Sequence, residues 1–73
     1  MADLQQEREH LILADRHLAA GNRRIAEQII LIQTMTRRGQ DTTEAKRLLQ
    51  NFEDTLEVWH AHRKLILDAL ARG

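Results

Sequence analysis

An all-α fold, a two-helix antiparallel hairpin, is predicted by three features of this 73-residue chain. Proline is absent, so no residue removes a backbone donor from a helix interior. Apolar residues recur at seven-residue spacing on both sides of a central break, as on a helix face that packs against another helix. The break itself, Arg37-Arg38-Gly39-Gln40-Asp41-Thr42-Thr43-Glu44, reads as a helix stop followed at once by a helix start.

The first helix is expected from about residue 3 to about residue 38. Leu4, Leu11, Leu18, Ile25 and Ile32 form one row, and Ala14, Gly21, Ile29 and Met35 fill the adjacent positions. A row sustained at this period favours near-parallel packing over a steep crossing. Gly21 costs about 1 kcal/mol relative to Ala inside a helix, so a bulky residue opposite it is expected. A break at Gly21-Asn22, with Asn22 capping a separate helix, is the alternative.

The turn is expected at residues 39–41. Gly39 takes the left-handed conformation that closes a helix without a Cβ clash, and Arg37 and Arg38 complement the negative end of the helix dipole. Asp41 then accepts from the first free N–H groups of a second helix, with Glu44 reaching back to its amide as in a capping box. So short a connection joins antiparallel neighbours.

The second helix is expected from about residue 42 to about residue 71. Ala45, Phe52, Trp59 and Ile66 form one row, interleaved with Leu49, Leu56 and Leu70. Folding about Gln40 pairs residues whose numbers sum to about 81. Ile32 then falls near Leu49, Ile25 near Leu56, Leu11 near Leu70 and Trp59 opposite Gly21. The whole chain, 1–73, is one domain, and one hairpin of this length buries little core.

Each helix carries apolar residues away from this seam. Ile12, Ala19, Ala26 and Ile30 flank it on the first helix, and Val58, Ala61 and Leu65 lie on the far side of the second. Two helices cannot bury all of these against each other. A second copy is the simplest cover, because the two-fold homodimer is the commonest soluble oligomer. The expected product is a four-helix bundle, with the helix of another protein as the alternative occupant. Its interface draws on Leu11, Ile12, Leu18, Ile25, Ile29, Ile30, Phe52, Leu56, Trp59 and Ile66.

Polar residues near the seam cluster in the open half of the hairpin. Asp15 and Asn22 continue the row of Ile29, and Arg63 stands between Leu56 and Leu70. The expected arrangement is a partly buried Asp15–Arg63 ion pair with Asn22 bonded to the Trp59 indole, a layer that fixes register. The alternative is a small-ligand or metal site within the bundle, built from Asp15, His17, Asn22, His62 and Arg63.

No metal or cofactor is expected. Glu7-x-x-His10 and Glu57-x-x-His60 have the spacing of carboxylate-bridged bundle sites, but lie off the seam and at different levels of the hairpin. His60 and His62 project about 200° apart on a helix and cannot chelate together. Catalysis is not expected either. Serine and cysteine are absent, and the threonines gather near the turn without a histidine and carboxylate to activate them.

Eleven basic and eleven acidic residues cancel, which removes the bulk attraction used in nonspecific nucleic-acid binding. The longest apolar run, Ile29 to Ile32, is far short of the ~20 residues of a membrane span. The stretch Met1 to Glu7 lacks a secretory apolar core. The expectation is a soluble cytoplasmic protein with no nucleic-acid or membrane partner.

Five segments carry a resemblance: Ala14-Asp15-Arg16-His17, Arg23-Arg24-Ile25, Gly39-x-Asp41-Thr42-x-Glu44-Ala45, Leu48-Leu49-x-x-Phe52-Glu53 and His62-Arg63-x-Leu65-Ile66-Leu67. In these the chain resembles a group of small uncharacterised helical-hairpin proteins of alphaproteobacteria. The resemblance implies a bacterial cytoplasmic origin and carries over no activity, cofactor or catalytic residue.

Overall fold

The computed structural model describes residues 3–73, so Met1 and Ala2 of the expected 1–73 domain lie outside the described residues. Helix α1 spans Leu4–Arg37 and helix α2 spans Thr43–Arg72. At 1.5 Å per residue each is about 45–50 Å long, and side by side they form a rod of 57 × 14 × 13 Å. The fold is an all-α helical hairpin. α1 runs unbroken through Gly21-Asn22. No helix of the described residues is long and apolar enough to cross a membrane.

Both starts and the central stop are locally encoded. Asp3 Oδ1 accepts the Gln5 N–H at 3.0 Å and caps α1. At the other end Gly39 has φ of 71°. The Gln40 N–H then donates to the Met35 carbonyl at 2.9 Å and the Gly39 N–H to Thr36 at 3.1 Å. That pair of bonds is the Schellman closure, which satisfies carbonyls the last turn leaves free. Asp41 Oδ1 accepts from the Thr43 N–H at 3.0 Å and from its hydroxyl at 2.7 Å, but the residue at the cap of α2 is Thr42, one place later than expected, and its side chain makes no capping bond. The reciprocal bond expected from Glu44 is not formed. Glu44 pairs instead with Arg47, one turn along its own helix, at 3.2 Å.

The seam follows a strict alternation of three and four residues. On α1 it runs Leu11, Ala14, Leu18, Gly21, Ile25, Gln28, Ile32, Met35, all buried or half-buried. On α2 it runs Ala45, Leu49, Phe52, Leu56, Trp59, Arg63, Ile66, Leu70, also all buried or half-buried. One residue departs from expectation. Gln28, only 7% exposed, occupies the place assigned to Ile29, which is 42% exposed. Seven residues beyond Gly21 is Gln28, and the period prevails over side-chain polarity because Gln28 is satisfied: its Nε2 donates to the Ala45 carbonyl at 2.9 Å.

The register also differs from the expected sum of about 81, by about one helical turn. Asp15 meets Arg63, His17 meets Trp59, and Gly21 meets Leu56, so numbers across the seam sum to 76–78. Residues 38–42 stay out of both helices, and the pairing is centred near residues 38–39 and not on Gln40. The residue over Gly21 is therefore Leu56, whose Cδ1 lies 2.8 Å from where a Cβ would stand. Ile32 falls level with Ala45, and Leu11 with Ile66.

Candidate interaction surface

The residues expected at an interface divide into two sets. Leu11, Leu18, Ile25, Phe52, Leu56, Trp59 and Ile66 face the hairpin's own seam and are buried or half-buried. Ile12, Ile29 and Ile30 are exposed. With Leu13, Leu31, Leu48, Val58, Leu65 and Leu67 they make nine large hydrophobic residues left to solvent, against three hydrophobic residues buried among those described, Ala14, Leu18 and Ile66. Among the described residues no large side chain is fully enclosed. Sequence inspection placed Ile12, Ile30, Val58 and Leu65 in outer stripes, but did not single out Leu13, Leu31, Leu48 and Leu67. Their signal was present: each stands next to, and not on, a seam position of the three-four alternation.

Two concavities flank the seam. On one side Asn22, Ile25 and Ile29 of α1 and Glu53, Glu57 and His60 of α2 border a groove of about 510 Å³, with Leu56 at its floor. On the other, His17, Gly21 and Arg24 with Phe52, Thr55 and Trp59 surround a pocket of about 40 Å³. That is space for a water-sized group.

The polar residues do not converge. Arg63 Nε donates to Asp15 Oδ1 at 2.6 Å, the cross-helix pair expected from the fold-back. It is more solvated than expected, with the two side chains 36% and 52% exposed. Asp15 and Asn22 are both exposed, at the edge of the seam. Asn22 lines the large groove, and no hydrogen bond joins it to Trp59 among the described residues. The indole is covered instead by His17, stacked at 4.1 Å between centroids with 17° between planes, while His62 meets its edge at 5.6 Å. Asp15 and His17 lie about 200° apart on α1, so the ion pair and the histidine–tryptophan stack occupy opposite flanks. Among the described residues no three histidine, aspartate or glutamate side chains meet as a metal would require.

Compared with models of known protein families, with curated proteins and with solved structures, the chain matches none of them. The class defined here is thus that of the fold alone, a two-helix hairpin with nine large hydrophobic residues exposed among its charged ones.

Proposed function

We propose that this chain is a non-catalytic protein–protein interaction module: a small helical scaffold or regulatory adaptor that self-associates, two hairpins forming a four-helix bundle. One observation carries the reading. Nine large hydrophobic side chains remain exposed on a rod that buries only three hydrophobic residues among those described. A chain of this length with so thin a core gains most of its stabilisation from association. The groove of about 510 Å³, lined in part by Ile25, Ile29 and Leu56, offers a second hairpin a place to lodge. A small-ligand role for Asp15, His17, Asn22, His62 and Arg63 loses its support from their division between two flanks.

The experiment is thermal unfolding at protein concentrations spanning a hundredfold. Folding coupled to association makes the midpoint climb with concentration. A midpoint independent of concentration would refute self-association.

A further inference from the structure

We infer that the two copies pack with their turns at the same end of the bundle, α1 of each against α2 of the other, along the groove lined by Asn22, Ile29, Glu53 and Glu57. This rests on the proposed self-association and specifies its geometry.

Two ways of pairing such rods are open, and charge separates them. On the groove side α2 presents Lys46, Gln50, Glu53, Glu57, His60 and Lys64, a row whose Lys and Glu charges read plus, minus, minus, plus from either end. If the copies were related by an axis across the rod at the level of the groove, with turns at opposite ends, α2 would face α2 of the other copy in reverse. Lys46 would then oppose Lys64, and Glu53 would oppose Glu57, on both copies. Like charges placed so across an interface disfavour it by several kcal/mol.

An axis along the rod removes this conflict and leaves no freedom in register. Rotation about that axis preserves height, so α1 of one copy meets the level of α2 of the other that it already meets within its own hairpin. The hairpin's observed pairing, with numbers summing to 76–78, therefore carries over to within a residue or two. Along the groove that sets Ile12 beside Leu67, Asp15 beside Lys64, and Asn22 beside Glu57. The apolar pair covers two of the exposed hydrophobic residues. The charged pair joins opposite signs, Asp15 already holding Arg63 and Lys64 already holding Asp68 within the hairpin. The Asn22 amide can donate to Glu57, a carboxylate that has no ion pair among the described residues. Small Ala19 and Ala26, on the same face of α1, let the helices approach closely.

The test uses the absence of cysteine, which makes a single label specific. Gln40→Cys at the exposed turn, spin-labelled, is measured by pulsed dipolar spectroscopy on a sample whose mass has been determined by light scattering. A dimer with turns together gives a label separation of two or three helix diameters, roughly 20–30 Å. A dimer with a separation near the 57 Å length of the rod would overturn this packing and leave self-association intact. A monomeric mass would overturn both. The side of the rod is tested by Ile12→Glu, on the groove side, and Leu13→Glu, on the opposite flank. Ile12→Glu is expected to weaken the dimer at least tenfold and Leu13→Glu less than threefold, and the reverse order would put the second copy on the other side.

Discussion

Leu56 presses its Cδ1 methyl to within 2.8 Å of the point where a side-chain carbon would stand at Gly21. A Cβ at Gly21 would have to displace that methyl, yet alanine is the better helix former by about 1 kcal/mol. Leu56 borders a concavity on each flank, so its methyl has somewhere to go. Gly21→Ala is thus expected to come out near zero in denaturant unfolding. The full gain of about 1 kcal/mol should emerge when the same change is made in a Leu56→Ala background. Equal effects in both backgrounds would mean that Leu56 does not restrain this position.

Trp59 is half-buried, with His17 stacked over one face. Trp59→Ala should cost about 3 kcal/mol, the lower end of the range for large aromatics, because the residue is not fully enclosed. His17→Ala should cost about 0.5–1.5 kcal/mol, the scale of an aromatic pair. A loss below about 1 kcal/mol for Trp59→Ala would contradict its place in the seam.

The Arg63–Asp15 pair is short but solvated, with 36% and 52% of the side chains exposed. Exposed pairs contribute about 0–1 kcal/mol, so a double-mutant cycle on Arg63→Met and Asp15→Ala should give a coupling no larger than that. Gln28 differs, being buried and bonded to the Ala45 carbonyl. Gln28→Ala should lose about 1–2 kcal/mol through the missing bond and the space left behind. Gln28→Leu, which keeps the volume, should be neutral or stabilising within about 1 kcal/mol.

The Asp41 carboxylate is held below the ordinary aspartate value of 3.8, first by the Thr43 backbone N–H and second by the Thr43 hydroxyl. A carboxyl lowered in the folded state contributes stability that is complete above its unfolded value and lost as pH falls through its folded value. Asp41→Ala should therefore lower the thermal midpoint at pH 6, and the difference from the parent protein should shrink as the pH drops below about 4. A difference that widened on acidification would show that the Asp41–Thr43 bonds do not act through the ionised carboxylate.

The seam and the turn were legible because each rests on local chemistry and a fixed period. Gly39 and the Phe52–Trp59–Ile66 row act as their residue types dictate, whereas Asp41 holds Thr43 from one place before the cap of α2. Ile29 was misplaced because hydrophobicity was preferred to the alternation, and only the Gln28 bond to Ala45 shows how a polar side chain is satisfied there. The register was off by a turn because the fold-back was centred on Gln40 whereas the observed pairing is centred near residues 38–39, a detail of connection geometry that composition does not carry. The same shift put Leu56, not Trp59, over Gly21 and left the indole to His17.

The most direct test of the central claim is molar mass by light scattering coupled to size exclusion across a dilution series, with circular dichroism on the same fractions. Self-association predicts about twice the 8.5 kDa of one chain at high concentration, with helicity falling as the dimer dissociates. A fully helical 8.5 kDa monomer at every concentration would contradict it, because the hairpin would then stand without cover for its exposed hydrophobic residues.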